Sequence, residues 1–409
     1  MTPGFRRLQL ASLLALGATV ACSSGAGRRP AASPTAGART QPAPPSARPA
    51  ARPLHKGHVD ISTGLYNRED EDLVVPTPLP MVLRRTYLSG DRQSRHFGVG
   101  TTHPGEWYLY GDNDPGVPWG DLILADGGRI HFTRLSSGTS QADAVLRHEG
   151  TPTEFDRALL KWDGTHWVME LRDGGRALFL DCQRERQVCS LVERSDSQGN
   201  RIAYVRDVSG RLTRMESAGQ SISFDYDERG RIVGAYDSSQ NAVSYSYDAV
   251  GRLVRATASD GTVRDYTYND RDEMTEVREP GRVVANWFDE SGRLAKQVVN
   301  VSGVDDPYVM TFAYGVAGTS IVKTDVGEDD GTRSSYRFNR SHYVVSETLD
   351  ADGPAPVSLT YHNNESTNSA SAVTLSCRGR MGPVSRTMPL TARLEDPAKD
   401  ALIRAECVQ

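Results

Sequence analysis

Nine histidines, five cysteines and 52 carboxylates are the groups in these 409 residues from which chemistry could be assembled. Their spacing assembles none. The chain has no His-Glu-x-x-His pattern, no Gly-x-Ser-x-Gly turn and no Gly-rich phosphate loop. His131, His166, His342 and His362 stand singly in strand-like text, and His55 and His58 close a polar segment. Scattered imidazoles of this kind are expected to be surface or satisfied groups rather than ligands. The acidic runs at Gly111–Gly116 and Gly327–Thr332 lack the distal Glu of a calcium loop and read as turns. A carboxylate pair for glycoside hydrolysis is defined by spatial separation, which spacing along the chain does not reveal. No catalytic residue, metal or cofactor is therefore expected. Trp107, Tyr108 and Tyr110 are the binding candidates, with Trp119, Trp162, Trp167 and Trp287 further along. Aromatic rings on an exposed sheet face can stack on sugars or anchor a protein, although core packing competes for each of them.

The cysteines point to an exported chain. Arg6 and Arg7 precede a short apolar run, Leu8 to Leu16, and small residues lead to Ala21-Cys22. The run is too short for a mature membrane span and reads as a signal peptide over 1–21. Cys22 is the expected lipidation site, with ordinary cleavage near Ala21 as the alternative. Ser23 after it carries no retention Asp, which leans towards an outer-membrane lipoprotein. Four cysteines remain in an exported context, where disulfides form. Cys182 and Cys189 flank a hairpin-like tip and are expected to pair, leaving Cys377 with Cys407. Zinc is the weaker alternative, because the spacing is too wide for a knuckle.

These groups need a frame. Residues 22–56 are mostly Ala, Pro, Gly, Ser and Arg without an acid, too polar to order themselves. They form a lipid-anchored linker, and order is expected from near Val59. The formal charge is −5, and residues 1–21 carry two bases and no acid. A mildly acidic mature chain argues against nucleic-acid binding, which needs clustered Lys and Arg. From 57 to 195 short alternating runs are broken by Gly, Asp and Pro. Asp126-Gly127 and Asp173-Gly174 are hairpin signals. The segment 301–409 is β-rich. A short helix is expected near its end, with Pro397 in the first turn.

Between them, over 196–300, lies a repeat. Asp207-Val-Ser-Gly210-Arg211-Leu212 is followed by Tyr226-Asp227-Glu-Arg-Gly230-Arg231-Ile232 and Tyr247-Asp248-Ala-Val-Gly251-Arg252-Leu253. A degenerate unit, Tyr268-Asn269-Asp-Arg-Asp272-Glu273-Met274, precedes Phe288-Asp289-Glu-Ser-Gly292-Arg293-Leu294. From Asp207 through Asp227, Asp248 and Asn269 to Asp289 the steps are 20, 21, 21 and 20 residues. Such a period marks a repeat architecture. Asp opens a turn through its side chain, and Gly three residues later takes positive φ. Asp272 replaces that Gly in the fourth unit and tolerates the same conformation. Ile222, Phe224 and Tyr226 share one face of the entering strand, a half-buried antiparallel pattern. Five units give about ten strands, an arc of roughly 50 Å. The expected fold is all-β, with hairpin repeats forming a curved, incompletely closed sheet after a β-rich domain.

These units resemble the YD repeats of the Rhs family. Val59-Asp60, Thr63-Gly64, Asp72-Leu73, Pro76, Leu79-Pro80 and Arg85-Thr86-Tyr87 resemble the domain that opens many Rhs-type proteins, as do Phe97–Gly100 and Leu124–Phe132. Thr101 and Thr102 stand where that domain usually has an aromatic residue. The resemblance covers roughly residues 57–300. It implies the building material of toxin-enclosing shells, but Asp396-Pro397 lacks the context of their self-cleavage motif. The expected function is a noncatalytic envelope protein engaging a protein or surface polysaccharide through its repeat surface. A reduced accessory member of a toxin-delivery system and a glycan-acting envelope enzyme are the alternatives.

Overall fold

The repeat turns explain the architecture from the loop outwards. In the first of them Asp207 Oδ1 accepts the backbone N–H groups of Ser209 and Arg211, and Gly210 has φ +83°. Asp227 and Asp289 do the same, and Asp272 holds the glycine position at φ +60°. Each turn ends in a bulge, as between Asp225 and Tyr226. Two residues then oppose one, and a backbone N–H is released from the ladder.

The computed structural model describes residues 54–409, except 56–57, 112–116, 118, 150–152, 182–187, 364–369, 380–381, 391–395 and 408–409. The signal peptide, Cys22, Cys182 and most of the acidic run at 111–116 lie outside the described residues. Strands β1 (Leu54–His55), β2 (Val59–Asp60), β3 (Leu65–Val75) and β4 (Met81–Leu88) build an N-terminal sheet. Two short strands, β5 (Ser94–Arg95) and β6 (Gly98–Val99), pair with each other, and β7 (Thr101–Thr102) joins β4. The chain is thus already paired at Leu54, ahead of the expected start at Val59. His58 is half-buried against Tyr66, not a solvated linker residue.

Eight strands then close on themselves: β8 (Tyr108–Gly111), β9 (Trp119–Ile123), β10 (Arg129–Arg134), β11 (Val145–His148), β12 (Leu159–Trp162), β13 (Trp167–Glu170), β14 (Arg176–Phe179) and β15 (Val188–Ser195). Each pairs with the next, and β15 returns to β8 through Cys189 opposite Leu109. A barrel of this size is filled by side chains. Here they include Leu109, Leu122, Ile130, Phe132, Leu146, Met169, Phe179 and Leu191, all buried. Both Asp-Gly hairpins form, between β9 and β10 and between β13 and β14.

β15 forks. Its first half closes the barrel and its second half pairs with β16 (Arg201–Arg206), so barrel and repeats are one continuous sheet. The strip runs on through β17 (Leu212–Ser217), β18 (Gln220–Tyr226), β19 (Ile232–Asp237), β20 (Ala242–Tyr247), β21 (Leu253–Ala258), β22 (Val263–Tyr268), β23 (Met274–Glu279), β24 (Arg282–Phe288) and β25 (Leu294–Val301). It does not stop at residue 300. It continues as β26 (Tyr308–Ala317), β27 (Ser320–Glu328), β28 (Arg333–Phe338), β29 (Val344–Leu349), β30 (Val357–Asn363), β31 (Ala370–Gly379) and β32 (Gly382–Pro389). The 339 turn escapes the sequence pattern because His342 and Tyr343 stand in the Gly and Arg positions. Asn339 still accepts from Ser341 and Tyr343, and His342 takes φ +64°. Helix α1 (Asp396–Cys407) packs on β31 and is tied to it by the Cys377–Cys407 disulfide. Cys189 is also disulfide-bonded. Among the described residues no helix is long and apolar enough to cross a membrane.

The other conserved-looking letters of the repeat form a ladder between units. Tyr226, Tyr247, Tyr268 and Tyr314 donate their hydroxyls to the carbonyls of Leu212, Ile232, Leu253 and Leu294, each in the strand that opened the preceding unit. Arg211, Arg231 and Arg252 each pair with their own turn Asp, and these three and Arg293 lie over the next Tyr: Arg231 is 4.5 Å from the Tyr247 ring centre. One unit therefore fixes the next by a hydrogen bond and a cation–π contact. Where Phe288 lacks the hydroxyl, Asn286 donates to the Met274 carbonyl in its place, at 2.9 Å. Tyr268→Phe should lower stability by about 0.5–1.5 kcal/mol. Phe288→Tyr should gain nothing, because Met274 O is taken. Urea midpoints of the two variants check both statements, and a gain in the second would refute the substitution of one donor for the other.

Candidate functional site

The strip has two unlike faces. One is covered by residues 58–107 of the same chain; among the described residues nothing covers the exposed side chains of the other. On the covered face the bulges supply the contacts. The released N–H groups of Ile232 and Leu294 donate to the carbonyls of His96 and Gly64, at 2.7 and 2.8 Å. The Met274 N–H donates to the Tyr87 hydroxyl, which itself donates to Asp272 O. The degenerate fourth unit is thus the one into which Tyr87 inserts. Gly98, at φ +88°, passes so close to β20 and β21 that a Cβ would lie 2.4 Å from Gly251 O.

A buried ionic network locks this face. Three bases, Arg68, Arg85 and Arg264, meet three acids, Asp70, Asp72 and Glu279. Arg85 binds Asp72 with two nitrogens, one at 2.9 Å, and donates to the Tyr266 hydroxyl at 3.0 Å. Tyr266 donates its hydroxyl to Asp70 at 2.9 Å, and Tyr245 donates to Asp72 at 2.7 Å. The side chains of Arg85 and Asp72 are 3% and 0% exposed, so their charges are paired out of water. Burial alone would raise the Asp70 carboxyl; Arg85 and Arg68 hold it below the ordinary range. These groups join β3 and β4 to β20, β22 and β23. They bind the chain to itself.

The open face is different. Tyr236 and Trp287 are 41% and 50% exposed, and Lys296 lies over the Trp287 ring. Surface pairs of both signs flank them, including Arg255–Asp265 and Arg278–Glu276. Trp107 turns inward, edge-on to Phe155 with Arg194 stacked over it. Tyr108 and Tyr110 are half-buried on the outer side of the barrel, where Tyr110 adjoins Trp119 and Trp119 adjoins His131. His131 bonds the buried Asp121 at 2.7 Å. The structure therefore separates the aromatic trio and brings Tyr110 together with two residues, Trp119 and His131, from neighbouring strands. The alternating pattern of β9 and β10 carries that signal.

One further cluster has metal-ligating types within reach of one another: His96, His103 and Glu106. Sequence reasoning missed it because His96 precedes the short turn that holds the other two.

Comparison with known proteins bears on both segments. A domain of unknown function (DUF6531) matches residues 56–132, and the RHS repeat matches residues 247–284. A double-stranded DNA deaminase toxin A of Burkholderia cenocepacia (strain H111) is 26% identical over 311 residues. That alignment covers 69% of this chain and 19% of the relative, so the chain spans about a fifth of the relative's length. Two crystal structures, of TcdB2-TccC3-TEV and of TcdB2-TccC3 without its hypervariable C-terminal region, are each 11% identical. Each match covers 81% of this chain and 25% of the other at a TM-score of 0.29.

Proposed function

This chain is an Rhs-type YD-repeat protein with an Rhs-related role, and we propose that it works as a noncatalytic binding or scaffold module of the bacterial envelope. The observation that carries the reading is the division of the strip into a self-occupied face and an open one. The N-terminal sheet and its ionic network use up the covered face, so a partner meets the other. That face offers Tyr236, Trp287 and mixed charge, a chemistry suited to a protein or a surface polysaccharide and poorly suited to a phosphate backbone. A lipid on Cys22 and the polar linker after it would hold the module at a membrane, in the outer membrane of a bacterium.

The test is capture from envelope extract on the immobilised chain, with bound protein and bound carbohydrate analysed separately. Trp287→Ser with Tyr236→Ser should lower binding at least tenfold, about 1.4 kcal/mol. Full binding after every exposed residue of the open face has been scanned would end the proposal.

A second reading rests on the relative's name, which is that of a toxin. As an accessory of a toxin-delivery system the full chain would protect or harm competing cells that express it. Growth unchanged in both assays would exclude that role.

A further inference from the structure

The cluster at the seam between the N-terminal segment and the strip has the properties of a built site. His103 and Glu106 stand three apart on a 3₁₀ turn, Pro104–Glu106, a spacing that places side chains on one side. His96 comes from the turn between β5 and β6. Its Nδ1 lies 2.7 Å from Glu106 Oε1, and one ligand atom from each residue falls within 4.8 Å of the others. The frame is rigid. His103 caps the turn, its ring lies edge-on to Phe97 and packs against Phe224, and His96 packs edge-on against Tyr226.

Two of the polar atoms are unexplained. His103 is 0% exposed, and its Nε2 has no hydrogen-bond partner; neither has the buried Oε2 of Glu106. The orphaned Glu106 Oε2 is an acceptor that a cation satisfies directly, whereas His103 Nε2 carries the ring proton while Nδ1 accepts from Gly105, and Nε2 offers a lone pair only in the other tautomer. The donors suit a cation.

We propose that His96, His103 and Glu106 form a binding site for a divalent cation of the zinc class, pinning the N-terminal segment to the first repeats. Two imidazoles and one carboxylate form a three-ligand zinc set, and tetrahedral bonds would place the ligand atoms roughly 3.3 Å apart. His96 is 28% exposed, so solvent supplies the fourth position. Binding through Nε2 moves the His103 ring proton to Nδ1 and gives up the 3.2 Å contact from the Gly105 N–H. Of the arginines facing the cluster, Arg95 pairs with Asp91 and Arg211 with Asp207, whereas Arg206 donates to the carbonyls of Gly105 and Leu191. The Arg206 charge opposes the cation, and its removal should tighten binding.

The experiment uses the full chain, stripped with chelator and titrated with zinc chloride by calorimetry, with cobalt as a spectroscopic probe. One saturable site is expected, with tetrahedral cobalt absorption and a raised melting temperature. His96→Ala and Glu106→Gln should each weaken binding by more than the roughly 10–100-fold typical of an outer-shell partner. Arg206→Met should strengthen it, and His131→Ala should change nothing. Buried His103 is left intact, since its replacement endangers the fold. The proposal fails if the folded chain shows no saturable binding, or if binding survives both ligand substitutions with circular dichroism unchanged.

Discussion

Arg85→Ala is expected to destabilise the protein by about 3–5 kcal/mol, the range for removing one partner of a buried ion pair. The substitution leaves Asp72, whose side chain is 0% exposed, without the two nitrogens that bind it, and it removes the cation packed over Tyr245 and Tyr266. Arg84 is the control. It sits next along β4 but points to solvent, 43% exposed, beside Glu71 and Glu69. Arg84→Ala should change stability by less than about 1 kcal/mol. The two variants therefore separate a buried network from a surface pair on one strand. Acid provides a second check. Arg85 and Arg68 lower the Asp70 carboxyl in the folded state, so its contribution is present above the unfolded value of about 3.9 and is lost as pH falls through the folded value. Without Arg85 less of that contribution exists to lose. The difference between variant and parent should narrow as pH falls below about 4, measured by denaturant midpoints. Equal midpoints for the Arg85 variant and the parent at neutral pH would show that the network does not hold the N-terminal sheet in place.

Opening the Cys377–Cys407 disulfide should have the next largest effect. The bond closes a segment of 30 residues, and the loss of that restraint is worth about 3–4 kcal/mol in the chain-entropy account. The effect should be local. Helix α1 is short; besides the disulfide it packs Leu402 and Ile403 against the core and pairs Lys399 with Glu347 at 3.3 Å. Glu347 is 1% exposed and also accepts from Tyr361. With Cys377→Ala and Cys407→Ala, α1 should lose its amide protection first and β31 and β32 next, while β16 to β25 keep theirs. Hydrogen exchange resolved by segment makes the measurement. Retained protection in α1 would mean that packing alone holds it.

The repeat turns were legible because their chemistry is short-range. Asp227, Gly230 and Arg231 lie within five residues, and every contact that shapes the turn is among them. The period of about 20 residues then predicts strand number and alternation. The turn at Asn339 shows the limit of that reading. It keeps the Asp-type side-chain bonds, but with His342 and Tyr343 in the Gly and Arg positions it does not look like a repeat. The candidate trio Trp107, Tyr108 and Tyr110 shows a second limit. Successive residues of an extended segment point to opposite faces, so Trp107 turns away from Tyr108 and Tyr110 and the three could not form one platform.

The resemblance over residues 59–87 marked positions without stating their purpose. Gly64, Asp72, Arg85 and Tyr87 all prove to be contact residues between the N-terminal sheet and the strip. By itself the sequence determined that the chain is β, repetitive, and turned by Asp and Gly, because those properties arise between residues a few positions apart. Only the tertiary structure decided which face of the strip is occupied, where the barrel closes and which charges pair. The bonds from Tyr245 to Asp72 and from Met274 to Tyr87 span 173 and 187 residues. No local pattern encodes a partner at that distance; it is selected when the sheet brings a buried charge or a released N–H against the group that satisfies it.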